Sequence, residues 1–163
     1  MDFWIRDAGP ADTGALATVF FTSVREAALR YGEAERAAWA PEQPDATTYA
    51  KRLEGLDVVL AESAGKVLGF MGLTPEGYLD LAFVMPEAQG KGVSSALYAV
   101  LESRALAMGF PRLTTHASLM ARSFFERQGW QVDHAESVAR DNEKLRRFAM
   151  SKQLAVAKPM SAQ

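Results

Sequence analysis

The chain contains no cysteine and only two histidines, His116 and His134. Lack of cysteine excludes a disulfide framework, a thiolate nucleophile and any Cys-type zinc or iron–sulfur site, and two isolated histidines supply no metal-ligand spacing. No stretch approaches the roughly 18 consecutive apolar residues that a membrane span requires. The first residues, Met1-Asp2-Phe3-Trp4-Ile5-Arg6, lack a basic segment followed by an apolar one, so they read as a first strand and a cytoplasmic location is the expectation. There is also no excess of either charge: 18 basic residues stand against 20 acidic ones, a net of -2. That balance argues against a general nucleic-acid binder and leaves room for a local basic pocket.

What is present suits one ordinary soluble domain. At 163 residues, with 48% apolar and 23% charged residues, the chain can bury a core without staples or a structural metal. We expect that domain over residues 1–154, followed by a small, polar, frayed tail over 155–163.

Periodicity divides the domain. After a turn at Asp7-Ala8-Gly9-Pro10-Ala11-Asp12, the apolar series Leu16, Val19, Phe20 and Val24 predicts a helix over about 11–31. A short helical stretch ending near Trp39-Ala40-Pro41 and a helix over about 45–54 follow, a region that reads as a lid or pocket wall. From Asp57 the period falls to two. Val58 to Glu62, a turn at Ala64-Gly65-Lys66, Val67 to Leu73, a turn at Pro75-Glu76-Gly77 and Tyr78 to Val84 predict a three-stranded meander.

Glu87-Ala88-Gln89-Gly90-Lys91-Gly92-Val93-Ser94 then forms a glycine-containing loop that runs straight into a helical segment. A strand that turns through glycines into a helix exposes unpaired backbone N–H groups at the positive end of the helix dipole, which suits a pyrophosphate. The same turn also occurs for tight folding alone. It is neither the G-x-x-x-x-G-K-S/T loop of nucleoside triphosphatases nor a dinucleotide fingerprint, because the third glycine and the downstream acid are missing.

Gln89-Gly90-Lys91-Gly92-Val93-Ser94 resembles the acyl-CoA loop of Gcn5-related N-acetyltransferases (GNAT), Q/R-x-x-G-x-G/A, with serine at the last position. Downstream, Ala121-Arg122-Ser123-Phe124-Phe125-Glu126-Arg127-Gln128-Gly129-Trp130 resembles that superfamily's N-x-x-A-x-x-F-Y-E-x-x-G-F segment. Trp39-Ala40-Pro41 and the Phe124-Phe125-Glu126 spelling are similar to a bacterial branch of YafP type. The resemblance implies an α/β fold: a mixed, mostly antiparallel twisted sheet of about six to seven strands, flanked by about four helices and splayed at strands 4 and 5. It further implies acetyl-CoA as donor, a small-molecule or peptide amine as acceptor, and direct attack of the neutral amine without a covalent intermediate. Dimerisation is common in the family, and no membrane or nucleic-acid partner is expected.

The same resemblance gives residues their expected roles. Gln89, Gly90, Gly92, Val93 and Ser94 would cradle the pyrophosphate with Lys91 as a cationic neighbour. The backbone of Phe83 and Val84 would pair with the pantetheine, and Ser123 and Phe125 would lie near the sulfur. Phe125 stands where the family usually has a tyrosine acid, so the proton donor is open among Ser118, Ser123, Tyr78, Tyr98 and His116, and a thiolate can also leave unaided. For the base, Asp80, Glu62, His116 or a water relay are the alternatives. Trp39 reads as an acceptor-pocket wall or a plain hydrophobic lid. Arg140, Lys144, Arg146 and Arg147 read as a solvated hairpin. Loss of the tyrosine leaves a second function open, a catalytically weak acyl-CoA-binding sensor or scaffold.

Overall fold

The structure, a computed structural model, describes residues 2–154; the expected tail over 155–163 lies outside them. Strand β1 (Trp4–Asp7) leads through a single 3-10 turn into helix α1 (Thr13–Ala27), followed by α2 (Glu33–Trp39) and α3 (Ala46–Leu53). The meander follows as β2 (Asp57–Ser63), β3 (Lys66–Leu73) and β4 (Tyr78–Val84), then α4 (Val93–Ala107), β5 (Arg112–Ala117), α5 (Arg122–Arg127) and the hairpin β6 (Gln131–Arg140) and β7 (Glu143–Gln153). These form one seven-stranded sheet in the order β1-β2-β3-β4-β5-β7-β6. Five α-helices are found among the described residues, where the family resemblance implied about four; α2 and α3 lie where the periodicity placed two short helices.

Helix α1 stops at Ala27, short of residue 31. Ala28 leaves helical geometry, and Tyr31 turns inward to donate from its hydroxyl to the Arg146 carbonyl at 2.5 Å while accepting from the Leu119 N–H at 3.1 Å. A continued helix would have carried Tyr31 away from both partners. Helix α3 starts where Asp45 caps it, its carboxylate accepting from the Thr48 N–H at 2.7 Å.

Strand β3 is covered on both faces, and its side chains show how. Phe70 is fully buried and meets Tyr49 of α3 edge-on, whereas a Cβ on the neighbouring Gly69 would lie 3.2 Å from Val93 of α4 and 2.9 Å from the Phe83 carbonyl. Adjacent strand residues point to opposite faces, so α3 and α4 pack on opposite sides of the sheet. Gly69 lets the start of α4 come down onto it. Burial of a side chain such as Phe70 contributes about 1.5–3 kcal/mol.

Every strand pairing is antiparallel except β4 with β5, which is parallel and short: Tyr78 pairs with Thr114 and Leu79 with Thr115. The Thr115 hydroxyl donates to the Leu79 carbonyl at 2.7 Å and pins that end. Beyond Leu79 the two strands diverge, as the expected splay requires. No helix among the described residues is long and apolar enough to cross a membrane.

Candidate active site

The divergence of β4 from β5 opens a cleft of about 780 Å³. It runs the length of β4, from the loop after Val84 to Tyr78 at the strand's start, a span of about 20 Å at ~3.3 Å per residue. Its two ends are built differently.

At the loop end the site is backbone. Gly90 and Gly92 adopt φ of 72° and 84°, a left-handed conformation costly for any residue with a Cβ, and a Cβ at either would meet nothing within 4 Å. Among the described residues, no backbone N–H from 90 to 95 donates to a protein acceptor. A fan of free donors at the start of a 15-residue helix is an anion cradle. Gln89 braces it by donating from its side-chain amide to the Val84 carbonyl at 2.9 Å. Val93 is buried against the sheet and Ser94 lines the cleft. Lys91 is exposed and does not line it, since its left-handed neighbours turn it outward.

Along β4, only one of the two expected backbone positions faces the opening. Met85 donates its N–H to the Leu68 carbonyl on β3. By the alternation of a ladder, Phe83 turns its N–H and carbonyl toward β3, and Val84 and Ala82 turn theirs toward the gap. Phe83 instead contributes its ring, which packs with Phe20, Trp39 and Phe70 in the cleft wall. Trp39 stands between Phe83 and Tyr31 and lines the cleft.

The α5 wall holds Phe125, which is 2% exposed and touches the cleft while packing on Tyr98, Phe124 and Trp130. Ser123 does not share that face. It is exposed on the far side of α5 because it is one helical step from Phe124 and two from Phe125, and it lines a different depression beside Arg30 and Glu126. Tyr98 is also removed as a proton donor to the cleft: its hydroxyl donates to Glu102 and accepts from the Trp130 indole N–H at 2.9 Å, behind the aromatic wall. Burial, and then Glu102, push its pKa up. Glu62 lies on β2, bound to Arg6 at 2.5 Å and outside the cleft. Ser118 follows β5, lines the cleft and accepts the Ala121 N–H at 3.2 Å, so its own hydroxyl proton is still free to donate.

At the far end the site is made of side chains from five separate elements. The Tyr78 hydroxyl lies 2.7 Å from His116 Nδ1, and His116 Nε2 lies 3.7 Å from the Glu136 carboxylate. Tyr78 donating to Nδ1 leaves the ring proton on Nε2, facing that carboxylate; the tautomer is assigned from these partners. Burial first and Arg147 second hold the His116 pKa below its usual value, and burial holds that of Tyr78 above its own. Glu136 is kept ionised chiefly by Arg147, which donates to it at 2.7 Å. Asp80 is gripped by both terminal nitrogens of Arg52, at 2.7 and 3.0 Å. In the basic hairpin Arg140, Lys144 and Arg146 are exposed, as a solvated hairpin requires, and Arg140, Arg146 and Arg147 also border the cleft. Sequence reading missed Tyr49, Arg52, Glu136 and Gly69, none of which carries a local pattern that could have marked it.

A GNAT acetyltransferase domain model matches residues 26–154, and the chain belongs to that family. It is 34% identical over 129 residues to the uncharacterized N-acetyltransferase YafP of Escherichia coli strain K12, covering 78% of this chain and 81% of that protein. The solved Gcn5-related N-acetyltransferase of Rhodopseudomonas palustris, described as a class-II aminotransferase, superposes with a TM-score of 0.87 at 30% identity, covering 94% of this chain and 97% of that one. The yncA protein of Salmonella typhimurium, solved with acetyl-CoA, shares the fold at a TM-score of 0.72 and 20% identity over the whole of both chains.

Proposed function

We propose that the protein transfers an acetyl group from acetyl-CoA to a primary amine by direct attack in a ternary complex. The observation that carries this is the run of unpaired N–H groups from 90 to 95, which opens into the same cleft as Val84 and the Tyr78–His116 pair. Bound acetyl-CoA supplies the acyl group as a thioester whose thiolate leaves readily.

Each end of the cleft then has its task. Residues 90–95 hold the pyrophosphate, and Val84, its carbonyl tied to Gln89, aims its N–H at the thioester oxygen where negative charge develops. His116, kept neutral by its lowered pKa, accepts the amine proton on Nδ1 through the Tyr78 hydroxyl, and the imidazolium that forms is stabilised by the facing Glu136 carboxylate. Ser118 takes the place of the missing tyrosine, donating to the departing sulfur. Asp80 positions Arg52 and is not the base, since both of its oxygens are already bound by that guanidinium.

Phe125 favours a second reading, an acyl-CoA-binding module without turnover. The thermal midpoint with excess acetyl-CoA tests the binding they share: ligand at 100 times its Kd adds about 2.7 kcal/mol. No shift at millimolar ligand defeats both. Thiol release across an amine panel then separates them, and saturable binding without turnover above hydrolysis leaves only the module.

A further inference from the structure

Among the described residues, five arginines, Arg52, Arg127, Arg140, Arg146 and Arg147, line the cleft against a single carboxylate, Asp80, in a chain that as a whole carries more acid than base. Part of that charge is already matched. Arg52 is held by Asp80, and Arg147 by Glu136, which stands behind it. Arg140 has no carboxylate partner among the described residues; its guanidinium meets only the Ala139 carbonyl. Arg146 lies opposite Ser137 and alternates with Arg147, so its side chain is on the other face of the hairpin, and its carbonyl is held by Tyr31. On β6, Arg140 shares its face with Val138 and Glu136, so it is turned to the cleft side of the hairpin.

Arg52 and Arg147 are not placed to serve the phosphates of the donor. Both act on the Tyr78 hydroxyl, at the opposite end of β4 from the anion cradle. Beside them is an unmatched donor. Tyr49 is 4% exposed and lines the same cleft, yet its hydroxyl has no hydrogen-bond partner among the described residues, and it feels the charges of Arg52 and Asp80. An unpartnered buried hydroxyl is costly and calls for an acceptor.

From these observations we infer that the amine acceptor also carries an anionic oxygen group, a carboxylate, recognised by Tyr49 and by the arginines of α3 and the β6–β7 hairpin. This rests on the acetyltransferase reading and narrows its substrate class to amino acids and similar amino-carboxylates. A polyamine is disfavoured by the same charges: Arg140 repels it, and the one lining carboxylate among the described residues is already bound by Arg52. The aromatic wall of Phe20, Trp39 and Phe83 suits an apolar body on the acceptor.

The test compares the common amino acids, each against its amide and its decarboxylated amine, with spermidine included, by acetyl-CoA-dependent thiol release on the full chain. The preferred acceptor is expected to be a carboxylated amine whose amide falls at least about tenfold in kcat/KM, the scale of one charge-assisted hydrogen bond. Tyr49→Phe should raise KM for that acceptor and leave KM for acetyl-CoA and the thermal midpoint unlowered, which a merely structural hydroxyl would not do. Arg140→Gln should narrow the gap between acid and amide. Neutral amines or spermidine matching the amino acids, or no carboxylated amine turned over at all, overturns the inference. Absence of an acetyl-CoA-induced thermal shift overturns the acetyltransferase reading itself, so the two failures are distinct.

Discussion

In the proposed function the two ends of the cleft solve the same kind of problem, holding a polar ligand beside an apolar sheet, by opposite means. At the cradle, consecutive residues present main-chain N–H groups, and the side chains matter only in being absent, as at Gly90 and Gly92. At the acceptor end, Tyr49, Arg52, Tyr78, Asp80, His116, Glu136 and Arg147 come from α3, β4, β5, β6 and β7. A backbone site tolerates substitution wherever φ is ordinary and fails where it is not. A side-chain site fails at each of its members, in a way that depends on charge and pH.

The largest effect is expected at the side-chain end. Removal of a general base typically lowers the rate 10²- to 10⁴-fold, so His116→Ala should reduce kcat/KM by about that range while acetyl-CoA binding, measured by calorimetry, holds within about threefold. The pH profile gives the sharper reading. Because folding lowers the His116 pKa, the acid limb of the wild-type profile should lie below the ordinary histidine value of about 6.5 and vanish in the variant. An unchanged limb would remove His116 from the chemistry.

At the backbone end the effect should be smaller and of the other kind. Gly92→Val forces a branched side chain into φ of 84°, where strain costs about 1–3 kcal/mol. We expect acetyl-CoA to bind about 10- to 100-fold more weakly, with kcat at saturating donor little changed. Loss of kcat with intact donor binding would mean that the two ends are not separable.

How much was legible in the sequence follows the same division. The turn from Gln89 to Ser94 could be read because glycine geometry at a strand-to-helix junction is local, and the meander because strand period is local too. Boundaries failed where tertiary partners intervened: α1 ends early because Tyr31 is drawn to Arg146 and Leu119. The roles of single residues failed for the same reason. Ser123 and Tyr98 were plausible by composition, yet one helical step puts Ser123 outside, and Glu102 with Trp130 engages Tyr98. The Arg52–Asp80 and Arg147–Glu136 pairs join residues whose proximity only the folded sheet creates.

A more modest effect concerns the α5 wall, where the two kinds of construction meet. If the Ser118 hydroxyl supplies the proton to sulfur, Ser118→Ala should lower kcat about tenfold, the worth of one hydrogen bond to a charged atom. Adding Phe125→Tyr to that variant should recover part of the loss, because Phe125 lines the same cleft. The rescue must be judged against stability, since Phe125 is packed against three aromatic rings and a hydroxyl there costs roughly 1 kcal/mol if it finds no partner. Lack of both loss and rescue would show that the thiolate leaves without an acid.

The smallest effect is on folding and again belongs to the side-chain end. His116 has a lowered pKa in the folded state, so between that value and about 6.5 the unfolded chain binds more protons and stability rises with pH. Below the folded value the deficit is complete, and above 6.5 it is absent. Glu136 works in a lower window: its depressed pKa contributes stability that is present above its usual value of about 4.5 and is lost as pH falls through the folded one. Urea denaturation of wild type and His116→Gln between pH 5 and 7 therefore isolates the histidine, since the Glu136 window lies beneath that range. The wild type should gain more stability than the variant across the interval. Equal gains would mean that His116 is as solvated in the folded chain as in the unfolded one, and so is not held neutral by its surroundings in the way the proposed proton transfer requires.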